Sequence, residues 1–583
     1  MTYTRSLLAA TLALTLAACG QQQTAAPVGS APATGSSASN EVIAGAYLIG
    51  FKQDALRIQS LSQQAVVQAQ AITAAGGLLT SQWADISAAA VKLSPAALDK
   101  LRANPLVEYV EPDLLRHALG FRSGQSAHPA PAAKPGTPAP VLTAQALYAP
   151  SGEYTWGDAA LKVADLRAGN YTGAGVAVCI GDTGIDGNHP EFKRGLKGFR
   201  NFTPDLNRND PYSLNDVSHH GTHVSGTVFA QYGAGTGARG LQPGEDVNGV
   251  GGAASGVNLY MARVLGDDGS GSSSGIINGV NWCVSQLKSQ GGAETKVVVS
   301  LSLGGGRASQ TEQRAYTAAY NKGALIVAAS GNDGASTVSY PAAYTNVLAV
   351  GAIDDTNTKA SFSNAGTALD IVGPGVAVLS SLPLGQGAAA SASAVNVPAF
   401  TNVTGADLSA KATVSAGIVA AGGTNNEFCG TGVSNPALSG KIALISRGTC
   451  SFEEKTANAS RSGAAGVMIY NNAAGPLGMS LTNAYAIPVV GLIQTDGQAL
   501  LGKLPTSGTV SVTTADYEYF DGTSMATPHV SAAAAVVWAA RPTLTNTQLV
   551  SALTSTATDL GTAGRDNSYG YGLVNPLKAI TGK

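Results

Sequence analysis

The stretch Asp521-Gly-Thr-Ser-Met-Ala-Thr-Pro-His529 runs directly into Val530–Ala540, a segment without charge and almost wholly small and apolar. A helix with no polar face must be buried on every side, so the chain has to build layers around it. Pro528 is expected in its first turn, where a missing N–H costs little, and Arg541-Pro542 ends it. Ser524 then stands at the helix mouth. Unpaired N–H groups and the positive end of the dipole collect there and favour an oxyanion beside its side chain. Taken alone, Ser524 is either a nucleophile or an N-cap.

At 583 residues the chain exceeds what one core can serve, and about three or four domains are expected. Charged residues make up 12%, well below the usual ~25%. With 72 glycines this points to a loop-rich, extracytoplasmic protein. A net charge of −2 without a basic run excludes the positive stripe that nucleic-acid binding needs. Arg5, the apolar run Leu7–Leu16 and Ala17-Ala18-Cys19 form an export signal over residues 1–19, too short to span a bilayer. Leu-Ala-Ala-Cys resembles a bacterial lipoprotein signal with Cys19 lipidated; the alternative is an ordinary cleaved signal. Either way the protein is secreted or associated with the cell envelope. Of the remaining cysteines, Cys429 is expected to pair with Cys450, because both fall in one inserted domain. Cys179 and Cys283 either pair or stay as small buried thiols.

Residues 20–40 are a polar, flexible tether. Residues 41–119 form a small α+β module, with strands Ala46–Phe51, Ala88–Leu93 and Val107–Glu111 and helices Asp54–Ala75 and Pro95–Ala103. Residues 120–150 are a Pro/Ala-rich linker. The main body, 151–385 and 516–583, is α/β. Its apolar strands Gly175–Gly181, Val257–Leu265, Lys296–Leu301, Ala324–Ala329 and Val347–Gly351 alternate with helices, which argues a mostly parallel sheet flanked by helices. Between the two parts, 386–515 is a β-rich domain inserted in a surface loop.

A serine becomes a nucleophile when a base takes its proton and a third group orients that base. With 7 histidines the search is short. His117 and His128 lie in the first module and linker, His189 in a turn, and His529 in the serine's own helix. That leaves His219, His220 and His223. Paired histidines on one helix also suit zinc, but His-Glu-x-x-His is absent and no third ligand is in view. Asp182 ends a strand at the edge where catalytic groups of parallel sheets gather. By itself it is equally a turn or cap aspartate.

Asp182-Thr-Gly-Ile-Asp, His220-Gly-Thr-His and Gly522-Thr-Ser-Met-Ala-Thr-Pro, in that order, resemble the subtilisin-like serine proteases. The order and Ala526 exclude the α/β-hydrolase elbow. The resemblance implies a subtilisin-like fold and a serine endopeptidase with Asp182, His220 and Ser524 as its triad. Ala329-Ser-Gly-Asn332 resembles the family's oxyanion segment, so Asn332 and the Ser524 N–H are expected to hold the oxyanion. Gly269, Ser270 and Gly271, with Ser302, Leu303 and Gly304, resemble the two edges between which a substrate peptide lies as an added strand. Specificity should then be broad, and activity should rise as the base histidine loses its proton. Tyr569-Gly-Tyr-Gly-Leu-Val-Asn-Pro576 resembles the family's C-terminal signature.

Tyr47-Leu-Ile-Gly-Phe-Lys and Val107-Glu-Tyr-Val-Glu-Pro-Asp113 resemble the family's inhibitory propeptide. This implies an intramolecular inhibitor cut near Leu119-Gly120 or in the linker. If Cys19 carries lipid, that cut leaves lipid and catalytic domain on different fragments, giving an anchored precursor and a released enzyme. Ile487-Pro-Val-Val490 and Ser462-Gly-Ala-Ala-Gly-Val resemble the protease-associated domain, which either restricts substrate access, binds protein, or acts as a spacer. The chemistry needs no cofactor. The subtilisin-like resemblance puts Glu191 where many members of that family have a ligand carboxylate, and with Asp246 and the carbonyls of Gly244–Val250 it is a candidate hard-oxygen calcium site. Partners are protein or peptide substrates, with membrane contact only through the precursor's lipid, and a monomer is expected. The other classes are a silent binding protein and a serine esterase.

Overall fold

The computed structural model describes residues 42–53, 60–122, 153–192, 195–205, 207–213, 216–232, 249–400, 403–406, 408–472, 477, 479, 481 and 483–583. The export signal with Cys19, the tether, residues 123–150 of the linker and Asp246 lie outside them. Among the described residues no helix is long and apolar enough to cross a membrane.

The main sheet is parallel throughout. Its strands run in the spatial order Ile371–Pro374, Val347–Ile353, Leu325–Ala329, Val297–Leu301, Ala177–Asp182, Asn258–Arg263, Leu196–Asn201. The three strands Val297–Leu301, Leu325–Ala329 and Ala177–Asp182 are buried along their whole length, as expected of apolar runs covered on both faces. Chain order reverses beside Ala177–Asp182, so Asp182 emerges at the topological switch point, where α/β sheets place their ligands.

The uncharged helix spans Thr523–Ala540 and is buried from Thr523 through Trp538. It packs against the helix His220–Phe229 and the strands Val297–Leu301, Leu325–Ala329 and Val347–Ile353. Pro528 is not in its first turn, as expected from sequence, but in the second. Its ring leaves the Ser524 carbonyl without a helical donor, and the Ser302 hydroxyl supplies one at 2.9 Å. Gly522, not Ser524, is the N-cap.

The N-terminal module is a sheet of Val107–Ala118, Val42–Phe51, Ala88–Lys92 and Leu78–Trp83 under the helices Leu61–Ala75 and Pro95–Arg102. Three features depart from the sequence reading. Leu78–Trp83 forms an edge strand, and Val107–Ala118 runs seven residues beyond Glu111 because it finds partners in the main body. Residues 121–122, expected as linker, pair with Phe520 and Asp521. Leu48, Trp83, Ile86, Ala88 and Ala90 of the module share an apolar cluster with Ile277 and Ala315 of two main-body helices.

The insert is a mixed sheet running from Gly387–Ala394 to Thr506–Ala515, with parallel central strands Thr413–Ala420, Ile442–Ser446, Gly466–Tyr470 and Val489–Leu492. It has cores of its own around Phe428, Ile445 and Met468. The Cys429–Cys450 disulfide lies within it, and Cys179–Cys283 is also bonded.

Candidate active site

Asp182, His220 and Ser524 converge from a strand end and two helix N-termini. The Asp182 carboxylate, fully buried, receives the His220 Nδ1–H at 2.7 Å and the Thr183 N–H at 2.7 Å, both on Oδ1. Thr183 passes the constraint onward. Its hydroxyl donates to Asp216 at 2.6 Å and accepts from the Gly221 N–H at 2.8 Å, one residue beyond His220. The other Asp216 oxygen caps the helix through the Thr222 N–H at 2.7 Å. Burial pushes the Asp216 carboxyl up, against three hydrogen bonds that pull it down.

His220 Nε2 is buried with no hydrogen-bond partner, while the Ser524 hydroxyl donates to the Ser302 carbonyl at 2.8 Å. The proton acceptor is thus free, and the serine is turned from it. What occupies the space is the chain itself. The Leu119 carbonyl oxygen accepts from the Ser524 N–H at 3.1 Å and from Asn332 Nδ2 at 2.7 Å. Asn332 is aimed by Thr523, whose N–H and hydroxyl donate to its Oδ1 at 2.9 and 2.8 Å. Gly120 follows against His220, and a Cβ there would lie 2.8 Å from Nε2, so a side chain at this position would press on the imidazole.

Residues 115–122 cross the whole cleft as an added strand. Leu115, Arg116 and His117 lie opposite Ser272, Gly271 and Ser270 on one side, and His117 and Ala118 opposite Gly304 and Leu303 on the other. The Ala118 N–H donates to the Gly269 carbonyl at 2.9 Å and the Leu119 N–H to the Ser302 carbonyl at 3.2 Å. All six residues expected from sequence to border a peptide therefore touch one. A Cβ on Gly304 would lie 2.8 Å from Leu119 Cδ1, so that glycine makes room for the Leu119 side chain.

The Subtilase family model matches residues 173–406 and 493–572, and the PA domain model matches residues 409–500. The chain belongs to the subtilase family. It is a subtilisin-like serine endopeptidase, a hydrolase, with an inserted PA domain. Subtilisin E of Bacillus subtilis (strain 168) is 33% identical over 356 residues, which are 60% of this chain and 77% of that protein. The alkaline protease of Alkalihalobacillus alcalophilus is 33% identical over 349 residues, 58% of this chain and 74% of its own. The subtilisin-like protease Apa1 of Pseudoalteromonas sp. AS-11 is 32% identical with a TM-score of 0.53, covering 73% of this chain and 96% of that one. Fervidolysin of Fervidobacterium pennivorans shares the fold at 20% identity and a TM-score of 0.54, over 94% of this chain and 62% of its own.

Two further histidines of the subtilase, His223 and His529, have structural work. His223 stacks on Phe520 at 4.3 Å and points Nε2 at the Val378 carbonyl, and burial pulls it down to about 3. His529 pairs its Nδ1 with the Met525 carbonyl at 2.8 Å and is pulled down to about 4 by burial. The histidines weighed for zinc are engaged otherwise, His220 with Asp182 and His223 with the Val378 carbonyl, and among the described residues no group of three His, Cys, Asp or Glu could hold a metal. Sequence reasoning missed Asp216, Thr523, Glu111 and Asp113. Glu111 closes the N-terminus of the helix Gln310–Asn321 through the Ser309 hydroxyl and the Gln310 and Thr311 N–H groups at 2.7 to 3.0 Å. Asp113 does the same for the helix Ser273–Ser285 through Ser274 N–H at 3.1 Å and hydroxyl at 2.6 Å. The visible signal was the acidic pair at i and i+2 in a strand, which puts both side chains on one face.

Proposed function

We propose that the enzyme is an exported zymogen that cuts its own chain between Leu119 and Gly120 and then cleaves other proteins by the same steps. Ser524 turns from the Ser302 carbonyl to His220 and attacks the carbonyl carbon, while His220 Nε2 takes its proton. Asp182 fixes the imidazole tautomer and stabilises its charged form. Negative charge develops on an oxygen already held by Asn332 and the Ser524 N–H. His220 returns the proton to the leaving amine, and water then releases the acyl group by the same route. The observation that carries the reading is the Leu119 carbonyl bound by those two donors at 2.7 and 3.1 Å.

The N-terminal module is read as the inhibitor, its strand blocking the cleft in the manner of a substrate. Edge pairing through main-chain groups supports broad specificity wherever the side chain meets no pocket. Export rests on the leader and on two disulfides. A lipid on Cys19 would anchor the precursor and stay behind on maturation. Glu191 is read as one ligand of a structural calcium ion. Its Oε2 is buried without a partner, and burial pushes the carboxyl up to about 8. Asp246 and the other expected partners from Gly244 to Asn248 lie outside the described residues. A chelator that leaves the melting temperature unchanged would remove calcium from the reading.

The reading is tested by treating mature enzyme with an organophosphonate serine reagent and following a peptide amide and its ester. Labelling of Ser524 with parallel loss of both activities is expected. Ester turnover alone, with the amide untouched at any concentration, would favour the esterase. Labelling without any turnover would favour the silent binder.

A further inference from the structure

The module strand places one side chain in a site unlike the main-chain contacts around it. Arg116, three residues before Leu119, is 1% exposed and forks onto Glu312, Nε to Oε1 at 3.0 Å and Nη2 to Oε2 at 2.6 Å. Its Nη2 also donates to the Arg307 carbonyl at 2.8 Å. Glu312, itself fully buried, is held from behind. The Ser273 hydroxyl donates to Oε1 at 2.5 Å and the Tyr344 hydroxyl to Oε2 at 2.7 Å. Those two donors come from separate elements of the main body, so the carboxylate is built into the enzyme and stays when the module leaves. Space has been cleared for the guanidinium as well. A Cβ on Gly305 would lie 2.8 Å from Arg116 Nη1.

Resting on the reading that Leu119–Gly120 lies as a scissile bond does, we infer that Glu312 selects substrates with arginine at the fourth residue before the cut. A bidentate carboxylate matches the planar fork of arginine better than the point charge of lysine. A neutral side chain leaves a buried carboxylate facing only two of its donors, and an acidic one adds repulsion. Specificity is therefore broad along the main-chain contacts and narrow at this position. Glu312 is a specificity residue that does not touch the reacting atoms.

The test uses enzyme matured from the full chain and four blocked peptides, X-His-Ala-Leu with a chromogenic amide, where X is Arg, Lys, Ala or Glu. Arg is expected to exceed Ala by about 10- to 100-fold in kcat/KM, with Lys between and Glu lowest, from the usual strength of hydrogen bonds to charged groups. In Glu312→Gln and Glu312→Leu the Arg/Ala ratio should collapse toward one while the Ala peptide is still cut. The ratio is taken within one enzyme sample, so a misfolded fraction cancels. Arg and Ala within about twofold in wild type, with both cleaved, overturns the inference and leaves the protease reading intact; hydrolysis of no peptide overturns both.

Discussion

Replacing Asn332 by alanine removes the shorter of the two bonds to the Leu119 carbonyl, 2.7 Å against 3.1 Å from the Ser524 N–H. The amide sits where charge grows as the carbonyl becomes tetrahedral, so its loss should fall on kcat. The expected drop is about 10²–10³, or about 2.7–4 kcal/mol, the magnitude set by removal of one such donor in subtilisin. KM should move by no more than about threefold, because the ground-state peptide is held mainly by its edge pairing. Thr523→Val is the companion. It keeps the amide but removes one of the two donors that aim it, at 2.8 Å. A drop of about fivefold is expected, from a neutral hydrogen bond worth about 1 kcal/mol. Steady-state kinetics on one peptide amide, with active-site titration of each variant, separates the parameters. An Asn332→Ala enzyme with kcat within fivefold of wild type, or with its loss in KM, would refute the reasoning.

Further outcomes follow from the same geometry. Asp182→Asn should cost roughly 10⁴ in kcat by favouring the wrong imidazole tautomer, with the fold kept by circular dichroism. Asp113, docked against Ser274, is pushed up to about 6 by burial from an ordinary 3.8. The docked module therefore binds a proton that the free one has released, and docking tightens as pH falls from above 6 toward 4. Activity from the nicked complex should appear faster at pH 7 than at pH 5, and Asp113→Asn should flatten that difference. Cys179–Cys283 spans 104 residues and Cys429–Cys450 spans 21. Loop entropy assigns them about 5 and about 3 kcal/mol, so denaturant melts of the two Cys→Ala pairs should rank in that order.

Much of the fold was legible because its signals are local. Apolar runs such as Val297–Leu301 and Leu325–Ala329 announce buried parallel strands, and Asp182, His220 and Ser524 each carry a short neighbourhood of small residues that only a tight site needs. What stayed hidden depends on partners distant in sequence. Val107–Ala118 reads as ending at Glu111, since Pro112 normally stops a ladder, yet it continues by pairing with Ser270–Ser272 and Leu303–Gly304. Leu78–Trp83 is an edge strand whose Leu78 is 62% exposed, so its alternation is blurred. Pro528 reads one turn too early because the helix begins at Thr523, and the Ser302 hydroxyl that compensates for it lies far off in sequence, between the strands Val297–Leu301 and Leu303–Gly304. Arg116 and Glu312 are single charges far apart in the chain, and nothing in either neighbourhood marks them as a pair.

The central claim is that residues 115–122 occupy the cleft as a substrate does and that Ser524 cuts them. Expressing the full chain beside Ser524→Ala, with intact mass and N-terminal sequencing of both products, tests it most directly. The wild type is expected to yield a mature chain beginning at Gly120, while the mutant keeps the 119–120 bond. A wild-type chain beginning elsewhere, or a mutant cut at the same bond, would contradict it.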